Sequence, residues 1–235
     1  YGFVMQALII GIGTWIASSL PESVSYFGTS NSADSGVLPM SVKLSFAIGA
    51  LVFLVSILYT VFTTSEYPPE DMEVFELEKA KKNQFIPDII NNIGSMPLTM
   101  KKLGLIQFFS WFAFFTMWSM ANPAITEHVF NSPIPIVEEF DLSDGYQSSL
   151  FKSKNIKFQN ASNLTGSYMG VYGLSSMVFA LILTFYSAKR KINRKYIHLS
   201  SLLLGGLGFI SMYFIKDHNW LVLSFSLIGI SWGSI

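Results

Sequence analysis

Six long apolar stretches, residues 2–20, 44–64, 103–126, 165–188, 197–215 and 220–235, contain no Asp, Glu, Lys or Arg. A helix needs roughly 20 apolar residues to cross a bilayer, so this pattern limits the possible folds more than any other feature. A long core helix of a large soluble protein also reads as apolar. Six in succession, however, lack the polar faces that such helices present to water. The expected class is therefore all-α, a polytopic transmembrane helix bundle with six membrane spans. Composition agrees: of 235 residues, 51% are apolar and 13% charged, where a soluble domain carries about 25% charged residues. Fifteen basic and fifteen acidic residues cancel, which argues against a nucleic-acid partner. The absence of Cys excludes a disulfide framework, a thiolate zinc site, an iron–sulfur cluster and a cysteine nucleophile.

Basic loops tend to remain in the cytoplasm. Lys189, Arg190, Lys191, Arg194 and Lys195 crowd one connection, and Lys79, Lys81, Lys82, Lys101 and Lys102 lie in another. Together they hold ten of the fifteen basic residues, so connections 65–102 and 189–196 are expected on the cytoplasmic face of the cell membrane. The remaining connections, rich in Glu, Asp, Ser and Asn after the third span, are expected outside. Asn160-Ala161-Ser162 and Asn163-Leu164-Thr165 fit the glycosylation pattern there, which matters only in a eukaryote. The chain opens and stops within apolar runs, as a fragment of a longer membrane protein would.

The long connection has internal structure. Pro68-Pro69-Glu70-Asp71 is a favourable helix start, and Glu73, Glu76 and Glu78 precede Lys79, Lys81 and Lys82 in the order the helix dipole favours. Beyond it, Phe85, Ile86, Ile89, Ile90 and Ile93 recur at helical spacing, as in a helix lying on the membrane surface or in a plain linker.

Two spans before this linker and four after it suit six consecutive helices, the fifth to the tenth, of a twelve-helix transporter. Thr63-Thr64-Ser65-Glu66-Tyr67-Pro68-Pro69-Glu70-Asp71 resembles the end of the sixth helix in sugar:cation symporters of the major facilitator superfamily, in the sucrose/maltose-type branch near the glycoside–pentoside–hexuronide transporters. Gln107-Phe108-Phe109-Ser110-Trp111-Phe112-Ala113-Phe114-Phe115, Asn122-Pro123-Ala124 and Gly229-Ile230-Ser231-Trp232 extend the likeness over most of the chain. The resemblance implies residues 1–64 as the last two helices of the N-terminal half, 65–102 as the central linker, and 103–235 as the first four helices of the C-terminal half. It also implies alternating access around a mid-membrane site for a disaccharide or other glycoside, with H+ as the coupling cation and no cofactor. The family's membrane-embedded charged residues are expected in helices that precede these. One departure is that the basic loop 189–195 lacks the Gly and Asp that accompany the basic residues of the superfamily's cytoplasmic loop.

The residues themselves point to the third span. At about 100° per residue, Gln107, Trp111, Phe114, Trp118 and Asn122 share one stripe. A sugar ring stacks an apolar face on indole and pairs its hydroxyls with amides, and small-ligand sites commonly set few polar groups among aromatics. Packing is the competing explanation, since amides also join membrane helices by hydrogen bonds. Pro123 cannot donate to Ser119 and is expected to kink the helix. Glu127 and His128 beyond it suit an outer gate or a proton sensor, or a solvated interfacial pair.

Gln6 shares a face with Gly13 and Ala17, which suits helix packing or ligand contact. In the fourth span, Tyr172 lies on a face with Tyr168, Ser175 and Phe179 and is in reach of a sugar hydroxyl or of packing partners, while Gly166, Gly170 and Gly173 permit close approach on another face. Gly205, Gly206, Gly208, Gly229 and Gly233 read as helix contacts, and His198 as a structural hydrogen-bond partner. No zinc-protease pair, serine elbow or phosphate-binding glycine loop occurs, and His128, His198 and His218 lie in different connections, so the chain is not expected to be an enzyme or to hold a metal. A secondary sugar transporter in a lipid bilayer is the leading expectation, with a channel or scaffold protein and a membrane-embedded enzyme as the alternatives.

Overall fold

A computed structural model describes the chain except for Tyr1, Ser32, residues 34–36, Glu66, residues 81–84, Ile192 and Ile235. Side chains of residues 2–4, Ala7, Glu78, Ala80, Phe85, Ala188 and Lys189 are also undescribed. Lys81 and Lys82 of the expected linker helix, Glu66 of the quoted motif, both chain ends and the Phe85 and Glu78 side chains therefore lie outside the described residues. Among the described residues there is no strand. The elements are α1 (Gly2–Tyr26), α2 (Met40–Thr63), α3 (Met72–Ala80), α4 (Phe85–Ser95), α5 (Leu98–His128), α6 (Gly145–Lys189), α7 (Arg194–Phe214) and α8 (Leu221–Trp232). Among the described residues, each of the six apolar stretches is helical over most of its length. Among the described residues, α2, α5, α6 and α7 are long and apolar enough to cross a membrane. At twelve residues, α8 extends only about 18 Å.

The chain divides into two units. The first comprises residues 1–50 and 117–235. In it α6 is flanked by α1 and α8, and α7 packs on the far side of α8. Small residues set these distances. A methyl group on Gly11 would stand 2.6 Å from the Gly173 carbonyl oxygen, so α1 and α6 meet backbone to backbone. On the other side of α6, a methyl group on Gly229 of α8 would stand 2.3 Å from the Tyr172 carbonyl oxygen, and Ser175 donates a 2.7 Å hydrogen bond to the carbonyl of Ser226. Tight small-residue contact of this kind is how helices associate without a hydrophobic driving force between them. The core contains Ala121, Ile125, Phe151, Ala161, Ala180, Leu221, Phe225 and Ile228.

Two expected helix faces change. Gln6, Gly13 and Ala17 are exposed and nothing approaches Gly13; α1 instead packs with Gly11 and Thr14 against Gly173, Trp15 and Ser18 against Gly170, and Ser18 against Gly166. Gly206 likewise meets nothing, whereas Gly205 and Gly208 seat Ser231 and Ser224 of α8. Hydropathy alone does not separate two faces that are both small and apolar.

The segment after α5, expected as a loop, is helical from Gly145, so α6 runs 45 residues. The Asp144 carboxylate accepts from the Tyr146 backbone N–H at 3.2 Å and caps the helix start. Phe151, Ala161 and Thr165 then place a buried stripe along an otherwise polar stretch, and the Phe151 ring meets Phe140 edge-on at 5.5 Å. Ahead of it, Asp141 accepts from the Ser143 hydroxyl (2.5 Å) and backbone N–H (3.0 Å), which holds its carboxyl below the usual range. α5 continues through Pro123 to His128, where the Thr126 hydroxyl donates to the carbonyls of Asn122 (2.9 Å) and Pro123 (3.1 Å).

The connection between α1 and α2 is tied to α6 by amides. Asn31 donates to Asn160 Oδ1 (3.0 Å), and its own Oδ1 accepts from Asn163 Nδ2 (3.0 Å) and from the Ser41 hydroxyl (2.7 Å). Asn163 and Ser41 are buried. Asn31→Leu therefore leaves two buried donors without an acceptor and is expected to destabilise the protein by about 1–3 kcal/mol. Thermal unfolding in detergent should show that loss, and an unchanged midpoint would mean that the amide cluster is solvated. Both glycosylation-type asparagines lie within α6, where Asn160 accepts through Oδ1 and Asn163 donates through Nδ2.

The second unit spans residues 51–116. The expected linker helix α3 is present, and of the two readings of the isoleucine-spaced segment the structure shows the helix, α4. The Asp71 carboxylate accepts from the N–H groups of Glu73 (3.0 Å) and Val74 (3.1 Å), so α3 begins where the Pro-Pro-Glu-Asp sequence stops it from starting earlier. On α4, Ile86, Ile89, Ile90 and Ile93 are exposed on one face, and the Lys101 ammonium donates to the Gly94 carbonyl at 2.9 Å near the helix end. The α2 residues of this unit are exposed all round, Phe53 and Phe62 included. A helix apolar on every side belongs in lipid or against further helices.

Candidate functional site

The α5 stripe from Gln107 to Asn122 covers roughly 22 Å of helix axis. Its residues fare differently. In the second unit, Gln107 is half-buried and its carbonyl oxygen Oε1, shielded from solvent, has no hydrogen-bond partner among the described residues. Trp111 is exposed and lies against Phe115, ring centres 5.9 Å apart. Phe114 is buried.

In the first unit, the half-buried Trp118 meets Trp232 of α8 edge-on at 5.6 Å, and Trp232 meets Tyr172 of α6 edge-on at 6.2 Å. Tyr172 is buried. Three rings from α5, α6 and α8 thus converge, which edge-to-face attraction favours. Helix α8 stands close enough for this because Gly229, one turn before Trp232, lies against the Tyr172 backbone. One turn along α5, Asn122 is part-buried and donates to the Ser162 hydroxyl at 2.8 Å. Its amide nitrogen joins α5 to α6, leaving its carbonyl oxygen as the group with capacity for a ligand.

Gln6 lies on the exposed face of α1, apart from these rings. Glu127 and His128 line a separate groove of about 600 Å³ with Ala121, Ala124, Met212 and Tyr213. His128 Nε2 hydrogen-bonds the Tyr213 carbonyl at 2.9 Å, and the two rings stack 6.0 Å apart, so the imidazole is already engaged, while Glu127 is exposed. His198 shares hydrogen bonds with the Ser234 carbonyl (3.1 Å) and hydroxyl (3.2 Å), the structural role expected of it. No group of three metal-ligating side chains occurs among the described residues.

Sequence reasoning placed Trp118 and Tyr172 but not Trp232 in this cluster. Trp232 sits one helical turn beyond Gly229, and an indole following a helix-contact glycine at that spacing is the signal that points inward. Glu22 lies beyond the expected first span, which ends at Leu20, because α1 continues through Pro21.

Helices without polar faces, small-residue seams and an inward aromatic cluster define a polytopic membrane protein built around helix-helix contacts. The chain belongs to the major facilitator superfamily: the family model of that description matches residues 2–235. That membership makes it a membrane transport protein in general terms, of a superfamily that is typically non-enzymatic. No curated protein and no solved structure matches the chain.

Proposed function

We propose that this protein moves a disaccharide or other glycoside across the cytoplasmic membrane by alternating access, with H+ as the coupling cation. The observation that carries this reading is the meeting of Trp118, Trp232 and Tyr172, an aromatic wall against which the apolar face of a sugar ring stacks. Under this reading residues 1–64 and 103–235 belong to the two halves of the transporter, joined by the linker 65–102, and Glu127 sits at a gate. The discriminating test is counterflow in proteoliposomes: unlabelled sugar inside should drive transient accumulation of labelled sugar, and acidifying the outside should drive net uptake. A pore gives neither response, and a scaffold gives no sugar flux.

Sidedness follows from the basic connections and is part of the proposal. An Asn193→Cys label site should react only from the cytoplasmic side and Ser148→Cys only from outside. Reaction of both from one face would overturn the assigned topology.

A further inference from the structure

The connection between α6 and α7 concentrates positive charge that neither helix balances. Lys189, Arg190, Lys191, Arg194 and Lys195 fall within seven residues, and no Asp or Glu occurs from residue 145 to residue 216. The acids that bracket this stretch, Asp144 and Asp217, stand beyond the opposite ends of the two helices, where they cap α6 and the short turn His218–Trp220. Arg194 and Lys195 also occupy the first turn of α7, which holds no acidic residue. The positive end of a helix dipole disfavours cations there. What this arrangement lacks is an anion from outside the two helices.

Beside that charge, α6 offers an apolar wall. Ile182, Phe185, Tyr186 and Arg190 line a groove of about 490 Å³, and their spacing along the helix puts them on one face. Ile182, Phe185 and Tyr186 are exposed. They fall at the end of the part of α6, Gly145–Ser187, that is apolar enough to cross a membrane, and Arg190 follows as the residue that ends the helix. The Arg190 guanidinium lies over the Tyr186 ring, 5.7 Å from its centre, and its backbone N–H donates to the Tyr186 carbonyl at 3.1 Å. Attraction between cation and ring face keeps the charge at the mouth of the groove. A guanidinium there presents a planar fork that fits phosphate oxygens in pairs.

We propose that the corner between α6 and α7 binds an anionic phospholipid: an acyl chain lies along Ile182, Phe185 and Tyr186, and the headgroup phosphate pairs with Arg190 within the field of the other four basic residues. An apolar wall at the end of a membrane span, rimmed by unbalanced positive charge, matches a molecule that is apolar along its length and negative at its head. A zwitterionic headgroup fits less well, because its ammonium enters the same positive field. The site lies apart from the ring cluster of Trp118, Tyr172 and Trp232, and the proposal does not depend on what the transporter carries.

Native mass spectrometry of the full chain, delipidated in detergent and titrated with lipid in the absence of sugar, provides the test. A basic residue near an anionic surface is worth about a fivefold change in binding, so dioleoyl phosphatidylglycerol should bind at least about fivefold more tightly than dioleoyl phosphatidylcholine. Arg190→Gln should weaken phosphatidylglycerol binding by about the same factor. Ile182→Asn, which sets an amide in the wall and keeps every charge, should weaken it as well. Lys216→Gln removes the same charge from an exposed position past the far end of α7 and should leave binding unchanged. Glycerol phosphate, a headgroup without chains, should not displace the lipid. Equal binding of the two lipids, full binding after Arg190→Gln or Ile182→Asn, an equal loss with Lys216→Gln, or displacement by glycerol phosphate at the lipid's own concentration would each overturn the proposal. Because no sugar is present, failure of sugar counterflow with this lipid preference intact would sink the sugar assignment alone.

Discussion

Trp118→Ala is expected to lower sugar uptake in proteoliposomes at least tenfold, with Trp232→Ala close behind. Each change deletes one face of the ring cluster, removing stacking area and the geometry that orients a bound sugar, and a tenfold loss corresponds to about 1.4 kcal/mol. The loss should fall mainly on apparent affinity. Trp220 is the internal control, since it is 61% exposed and none of the ring contacts described above includes it. Trp220→Ala should leave uptake near the parent level. Equal, small effects at all three positions would return the stripe to a packing role.

Gly229→Ala is expected to be the most damaging glycine-to-alanine change among the described residues. The added carbon would meet the Tyr172 carbonyl oxygen at 2.3 Å and the Ser175 Cβ at 2.7 Å, and backbone offers no rotamer by which to retreat. Overpacking of this kind costs about 1–3 kcal/mol, and α8 would have to move away from α6, taking Trp232 with it. Both the thermal midpoint in detergent and sugar uptake should fall. Gly206→Ala is the matched comparison: a methyl group there meets nothing within 4 Å, and replacing glycine in a helix interior favours the helix by about 0.5–1 kcal/mol. The same midpoint for both variants would show that the α6–α8 seam is softer than its geometry implies.

Much of the architecture was legible in the sequence because two signals are strong. Charge-free apolar runs fix where helices lie, and the Pro-Pro-Glu-Asp start and the isoleucine spacing located α3 and α4 to within a few residues. The N-terminal third of α6 was harder to read, since Ser, Asn and Lys dominate residues 145–164 and the buried stripe through Phe151 and Ala161 is diluted among them. Helix faces were the least legible part. Both faces of α1 offer small residues, and the choice of Gly11 over Gly13 is made by where α6 presents Gly173, a fact about a partner far away in sequence. Glu22 escaped for a related reason. Proline usually ends a helix, but an apolar helix packed on a neighbour tolerates it, and the carboxylate then accepts from the Ser167 hydroxyl on α6. The site was half-visible: residues that repeat along α5 could be grouped by period, whereas Trp232 joins them only through packing of α8.

The order of the helices across the first unit has a bearing on how the protein is made. Gly11 and Gly173, which touch in the folded chain, are separated by about 160 residues of sequence. At ribosomal rates of about 5–20 residues per second, α1 leaves the ribosome roughly ten to thirty seconds before its partner exists. During that interval its glycine face has no helix to meet and must be borne by lipid or by other helices. Apart from Trp15, which meets Gly170, that face is glycine, threonine and serine, so it leaves little for a wrong neighbour to grip. The seam that α6 later completes is therefore as much a constraint on the order of assembly as on the finished fold.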